Sequence, residues 1–321
     1  MNILESYSQH IEKEISTFSF PLKPANLYDP LRYFMTLGGK RMRPMLTLMS
    51  AKLFGKSMEE SLHAAMSVEL FHNFSLIHDD IMDEAPLRRA KETVHHKWNT
   101  NIAILSGDVL LVKAYEQISK NPPHLVPALL NLFNQTAIEV CEGQQMDMDF
   151  ETRSDVTSEE YIEMIRLKTS VLLGCALEMG AIIGETNEDN RHLLYQFGVH
   201  LGIAFQIQDD LLDLYGMPEK VGKQVGGDVL ANKKTLLSIL AKNQANPTQL
   251  KQLIALESEK DDTRKIEETK ILFEQLLIEV RCKEEMKKHH QIAMTALGQL
   301  KTEGSAMELE QLAEFLFHRE Y

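Results

Sequence analysis

Apolar residues recur at three- and four-residue spacing along most of the chain, the period that lines one face of an α-helix. The pattern predicts helices near residues 2–17, 27–37, 42–55, 58–83, 99–119, 124–146, 158–184, 188–214, 227–241, 248–258, 264–300 and 306–318. No run alternates apolar and polar residues between turn signals as a half-buried strand would, so the expected class is all-α. Breaks fall at Pro21 and Pro24, Gly38-Gly39, Gly55, Pro122-Pro123, the loop Thr152 to Thr157, Gly184, Gly216 to Pro218 and Asn246-Pro247. None is long or polar enough for an interdomain linker, and no repeat of fixed period occurs, so one domain over residues 1–321 is expected.

Composition supports a globular chain with a substantial core: 44% of the 321 residues are hydrophobic and 25% charged. Cys141, Cys175 and Cys282 are odd in number and far apart, which suggests neither a disulfide framework nor a zinc site and points to a reducing, cytoplasmic setting. The opening MNILESYSQHIEKEIS lacks the basic and apolar regions of a signal peptide, and no stretch approaches eighteen uninterrupted apolar residues; neither export nor membrane insertion is expected. A net charge of −13 argues against a nucleic-acid partner. Against that acidity three basic clusters stand out: GGKRMRP (Gly38 to Pro44), LRRAK (Leu87 to Lys91) and NKK (Asn232 to Lys234).

One short motif occurs twice. Asp79-Asp80-Ile81-Met82-Asp83 ends the run VELFHNFSLIHDDIMD, and Asp209-Asp210-Leu211-Leu212-Asp213 ends GVHLGIAFQIQDDLLD. In a helix the first and fifth residues lie about 40° apart around the axis, so Asp79 and Asp83 share a face, as do Asp209 and Asp213, with Asp80 and Asp210 flanking. Acidic pairs at this spacing are common on solvated helix faces. Here both end helices rich in apolar residues, where three carboxylates need pairing or a metal. All-carboxylate sets suit hard cations, and few protein ligands with the balance from water and phosphate suit Mg²⁺. The substrate is then expected to be phosphorylated, with the site drawing charge out of a breaking C–O bond.

Basic groups near these motifs complete the expectation. Gly38 and Gly39 open a turn from which Lys40, Arg41 and Arg43 are expected to project, with Pro44 starting a helix. Arg88 and Arg89 follow the first motif after the break Glu84-Ala85-Pro86. His72, seven residues before Asp79, faces much the same way two turns below.

In seven ordered blocks the chain resembles the trans-isoprenyl diphosphate synthases, the polyprenyl synthetase family: GGKRMRP, HNFSLIHDDIMDEAPLRR, NIAILSGDVLL, EGQQMD, YIEMIRLKTSVLL, FQIQDDLLD, and GKQVGGD with NKKT. The paired aspartate motifs are the diagnostic part. The resemblance implies a single large antiparallel helical bundle around a deep central cavity, and a homodimer. It also implies that Asp79, Asp83 and Asp209 ligate Mg²⁺, supported by Asp80, Asp210 and Asp213. Arg88, Lys168, Lys223 and Lys233 would bind an allylic diphosphate, while Lys40, Arg43, His72 and Arg89 would hold isopentenyl diphosphate. Thr169 and Gln206 would place oxygens near a developing carbocation. One departure is local: the family usually reads Arg-Arg-Gly-x-Pro-Thr where this chain has Arg88-Arg89-Ala90-Lys91-Glu92-Thr93, so the loop after the arginines is expected to take another path.

The reaction implied is a head-to-tail condensation giving a C15 to C20 product. Phe74 and Phe71 lie five and eight residues before Asp79, about 7.5 Å and 12 Å along a helix axis, where two rings could floor a chain cavity or simply pack in a core. Long-chain synthases usually carry small residues there and short-chain ones an aromatic five before the motif. The absence of the two-residue insertion typical of bacterial farnesyl diphosphate synthases, with Ser75 not aromatic, favours C20. Three rivals stand beside this. A terpene cyclase leaves the second motif and the Lys40–Arg43 turn without a role. A His-Asp phosphohydrolase using His78-Asp79, His95 and His96 leaves Asp209 to Asp213 unexplained. A non-catalytic partner subunit would be expected to have lost carboxylates or arginines, and both clusters are intact.

Overall fold

The computed structural model describes residues 3–216 and 225–317, and nearly all its regular backbone is helical. Helix starts follow local chemistry. Ser57, Thr157, Thr235 and Asn246 each open a helix with a capping box, the cap oxygen accepting from an N–H three residues on while that residue's side chain returns to the cap's own N–H; this satisfies donors that a helix start leaves open. By contact the chain divides into two compact units. No described helix is long and apolar enough to cross a membrane.

The first unit comprises Met1–Thr136, Leu172–Tyr195 and Leu300–Leu309. It holds α1 (Ile3–Thr17), α2 (Ala25–Met35), α3 (Met42–Leu53), α4 (Met58–Met82), α5 (Val94–Lys97) and α6 (Thr100–Ser119), the beginning of α7 (Val126–Thr152) and most of α9 (Val171–Ile183). Helix α4 packs on α3 and α6, and Ala64, Ala65, Val68, Leu70 and Phe71 are buried around its circumference, as befits a central helix apolar on several sides. Gly180 of α9 lies so close to α3 that a Cβ there would stand 2.3 Å from the Thr47 carbonyl oxygen. After α4, the two-residue strands β1 (Leu87–Arg88) and β2 (Lys91–Glu92) pair antiparallel around Arg89 and Ala90, which take left-handed φ values of 53° and 60°. The sequence pattern anticipated neither this hairpin nor α5, because elements of two to four residues carry no measurable period.

The second unit comprises Ala137–Val171, Gln196–Gln299 and Glu310–Tyr321. It contains the end of α7, α8 (Ser158–Ile165), a π-helical turn at Arg166–Ser170 and most of α10 (Glu188–Tyr215). Then come α11 (Gly227–Leu230), α12 (Leu236–Gln244), α13 (Pro247–Glu257), α14 (Asp262–Gln275), α15 (Ile278–Gly298) and most of α16 (Met307–Phe317). Three expected helices prove interrupted. The stretch 158–184 is broken by the π turn. The stretch 227–241 becomes two helices because Asn232 takes φ 53° and Thr235 caps a new start. The stretch 264–300 divides at Leu277, φ 54°. Left-handed backbone at a residue other than glycine costs about 1 kcal/mol or more, and helical periodicity alone does not reveal where packing imposes it.

Candidate active site

In the first unit, α4 delivers the motif Asp79 to Asp83 at its last turn. The helix turns Asp80 inward, 1% exposed, and leaves Asp79 half-buried and Asp83 exposed, the split expected for a shared outer face. Burial pushes the Asp80 carboxyl up, opposed by Arg88, whose Nε donates to both carboxylate oxygens at 2.9 Å. A second nitrogen of the same guanidinium lies 3.5 Å from Asp79 Oδ2. Asp80 therefore holds Arg88, and Arg88 in turn stands beside the outward carboxylate.

Beside this motif the basic turn resolves into distinct roles. Arg41 does not project as the sequence suggested. It is 4% exposed, at left-handed φ 48°, and donates to Glu12 at 2.7 Å, to Glu69 at 2.6 Å and to the Met35 carbonyl at 3.1 Å, as burial of a charge demands. Arg43 Nη1 instead donates to His72 Nε2 at 3.1 Å, and Arg43 Nε is buried without a hydrogen-bond partner. Burial first, then Arg43, Arg89, Arg88 and Arg41, hold His72 well below the ordinary imidazole value, so the ring is neutral and accepts from Arg43. Desolvation brings Arg43 down to about 10. Arg89 lies against Gly39, where a Cβ would come within 2.9 Å of the guanidinium; glycine at φ 146° permits the approach. Arg43 on the imidazole, with Arg88 and Arg89 near enough to act on its charge, makes an electropositive cluster that suits an anion. Lys40 belongs to the same turn, just before α3.

His78 is engaged elsewhere, packed on Phe74 at 4.6 Å between ring centroids, with Nε2 3.2 Å from the Ile104 carbonyl, and His96 pairs with Glu92. These contacts give no support to a His-Asp phosphohydrolase centre. Phe74 is half-buried and Phe71 fully so; Phe71 sits between Phe74 at 5.6 Å and Phe133 at 5.2 Å, with Tyr115 against Phe133 at 5.0 Å. Phe133 and Tyr115 extend the aromatic pair in a way the sequence alone did not indicate.

In the second unit, Lys168 and Thr169 sit in the π turn, a local widening that often marks functional positions. Two glycines grip it: a Cβ on Gly143 of α7 would stand 2.2 Å from the Lys168 backbone nitrogen, and one on Gly202 of α10 would stand 2.8 Å from Ser170 Cα. Lys168 Nζ donates to Asp147 at 2.6 Å.

On α10, Asp210 is 6% exposed and takes a hydrogen bond from the buried Tyr161 hydroxyl and one from Gln206 Nε2 at 3.3 Å. Burial first pushes its carboxyl up to about 8. Because Gln206 gives its amide nitrogen to Asp210, its oxygen is the end left for other partners. Tyr161 is a site residue that sequence reasoning quoted only within a matching block; its bond to Asp210 spans 49 residues and has no local signature. Asp209 and Asp213 are half-buried. The Asp213 carboxylate accepts the Asp228 N–H at 3.0 Å and its carbonyl accepts the Gly226 N–H at 2.6 Å, which fixes the start of the basic NKK segment. Lys233 follows there, its side chain 63% exposed and 3.7 Å from Asp228. Lys223 lies outside the described residues.

Both motifs thus follow one plan: the middle aspartate is buried and hydrogen-bonded, and the outer two stand on the more open face. Among the described residues no three His, Cys, Asp or Glu side chains form a metal-binding group by themselves. Such open carboxylate sets do not fit an ion caged wholly by protein; they fit one that completes its shell with phosphate oxygens and water.

The polyprenyl synthetase family model matches residues 24–276. Geranylgeranyl diphosphate synthase of Methanosarcina mazei is 42% identical over 240 residues, 74% of each chain. The short chain isoprenyl diphosphate synthase of Methanothermobacter thermautotrophicus is 35% identical over 322 residues, 100% of this chain and 99% of that one. A crystal structure of geranylgeranyl pyrophosphate synthase superposes with a TM-score of 0.93 at 44% identity over the full length of both chains. With its two aspartate motifs, its cluster of arginines and this all-α fold, the chain belongs to the polyprenyl synthetase family.

Proposed function

We propose that this chain is a magnesium-dependent prenyltransferase that condenses isopentenyl diphosphate head to tail with allylic diphosphates and favours the all-trans C20 product, with C15 the shorter alternative. The observation that carries it is the contact of Arg43 with a neutral His72 beside an aspartate motif whose Asp79 and Asp80 stand against Arg88. Cations and carboxylates this close suit a diphosphate substrate. Residues 1–321 act as one catalytic domain, and homodimeric assembly and a cytoplasmic location belong to the same reading, by family resemblance and composition.

Asp79, Asp83 and Asp209 would hold the metal, which supplies charge neutralisation to the bound diphosphate. Arg88, Lys168, Lys233 and Lys223 bind the allylic diphosphate. As the allylic C–O bond breaks, its electron pair leaves with the diphosphate, and these donors stabilise the charge that develops there. Thr169 and the Gln206 oxygen face the allylic cation. The isopentenyl double bond, held in place by Lys40, Arg43, His72 and Arg89 on its own diphosphate, attacks that cation. A proton then passes to the released diphosphate, leaving an allylic diphosphate longer by five carbons.

The direct test is to incubate the pure protein with Mg²⁺, isopentenyl diphosphate and C5, C10 or C15 allylic diphosphates and to size the products. A C20 product is expected, and release of phosphate without coupled chain growth would refute the assignment.

Two variants probe the pockets. Arg43→Ala should raise KM for isopentenyl diphosphate about tenfold or more, the size of a charged hydrogen bond lost, with allylic KM within about twofold. Equal losses for both substrates would remove the division. Replacing Phe71 and Phe74 together with alanine should lengthen the product by one or more C5 units, measured by chain sizing, because Phe74 is half-open while Phe71 backs it against Phe133. An unchanged product distribution would leave both rings as core packing only.

A further inference from the structure

Lys265 on α14 is 4% exposed, an unusual place for an ammonium group. Its Nζ donates to the Leu230 carbonyl at 3.2 Å and to the Glu257 carbonyl at 3.3 Å. Leu230 ends α11 and Glu257 ends α13, and terminal carbonyls of helices lack intrahelical partners and favour a cation. Asn232 Nδ2 joins the same Glu257 carbonyl at 3.1 Å. The next residue on α14, Ile266, presses on Gly226, where a Cβ would come within 2.8 Å of its side chain.

The segment clamped in this way carries chemistry. At its start, Asp213 of the second aspartate motif accepts the Gly226 and Asp228 N–H groups. The Lys233 N–H closes back onto the Asp228 carbonyl at 2.9 Å, and the Lys233 ammonium stands near the Asp228 carboxylate. Residues 226–233 are therefore pinned to the motif at one end and to α13 and α14 through Lys265 and Asn232.

We infer that Lys265 is a positioning residue for the prenyl transfer: by tying the ends of α11 and α13 together it sets where Lys233 stands relative to Asp213, and so controls affinity for the allylic diphosphate. This rests on the proposed role of Lys233. An apolar side chain of similar length would fill the space yet take away the donor to the part-buried Leu230 carbonyl and one of the two donors to the Glu257 carbonyl, at the cost of the segment's order.

The experiment compares wild type with Lys265→Met by steady-state kinetics against each substrate and by hydrogen exchange at the Gly226, Asp228 and Lys233 amides. Exchange at these amides should rise about tenfold and allylic KM about tenfold, while KM for isopentenyl diphosphate stays within about twofold. A folded variant with unchanged allylic KM, or with both KM values raised alike, overturns the inference, since a general structural loss would not discriminate between substrates. If Lys265→Met does not fold, Lys265→Gln carries the same test, because it removes the ammonium group from the Leu230 and Glu257 carbonyls while keeping a polar side chain in its place. Wild-type protein that makes no prenyl product would refute the functional reading, and exchange at the three amides would still decide whether the clamp exists.

Discussion

Asp79→Ala and Asp209→Ala are each expected to lower turnover at least about a hundredfold, the scale of losing a major electrostatic stabiliser of a departing charge. Asp79 is half-buried beside Arg88, whose main partner is Asp80. Removing it takes a carboxylate from the open face while leaving the arginine anchored, so folding should survive and the loss should appear in kcat. Asp209 occupies the corresponding place in the second motif, next to the buried Asp210 held by Tyr161. Chelation of divalent ions should abolish turnover by both wild type and variants. Near-normal rates in chelator, or in either variant with an unchanged melting temperature, would show that the carboxylates are not needed for the chemistry.

Gly143→Ala should be almost as damaging, although Gly143 bears no functional group. A Cβ there would stand 2.2 Å from the backbone nitrogen of Lys168 and 2.7 Å from its Cα; backbone cannot swing aside as a flexible side chain can. Either α7 or the π turn must move, and the turn carries Lys168 and Thr169. Displacement of a catalytic group by about 1 Å costs on the order of a hundredfold, so kcat should fall by that order and the melting temperature should also drop. Gly298, with nothing within 4 Å of its would-be Cβ, is the control: Gly298→Ala should be neutral or stabilise by up to about 1 kcal/mol through helix propensity. Kinetics and thermal melts of the two variants side by side decide it, and a Gly143→Ala protein with wild-type kcat would mean that the turn does not need its present position.

Much of the site was legible because its parts are local in sequence. The i, i+4 spacing of Asp79 and Asp83 and of Asp209 and Asp213 places them on shared faces by helix geometry alone, and the side-chain burial of Asp80 and Asp210 agrees with that spacing. The basic turn was legible as a cluster but not in its division. Arg41 and Arg43 sit two residues apart, yet one is consumed by Glu12 and Glu69 and the other meets His72, partners 28 to 29 residues away that only the folded backbone brings within reach. The short hairpin at Leu87–Glu92 accommodates the departure noted after Arg88-Arg89: Arg89 and Ala90 occupy its left-handed corner.

The sequence by itself determined the helical class, the placing of most helices and the two carboxylate faces, since each depends on residues within one or two turns of each other. Only the tertiary structure decided which buried partners set those carboxylates and where the basic groups point. The Tyr161 to Asp210 bond spans 49 residues, the Arg43 to His72 contact 29 and the Lys265 to Leu230 bond 35. The physical reason is that a buried polar group must find a partner wherever packing brings one within about 3 Å, and that partner is chosen by the folded backbone rather than by neighbouring residues. The π turn between Gly143 and Gly202 shows the same limit: a change of helical register lies where two helices approach the turn closely, and those approaches leave only two glycines as their trace in the chain.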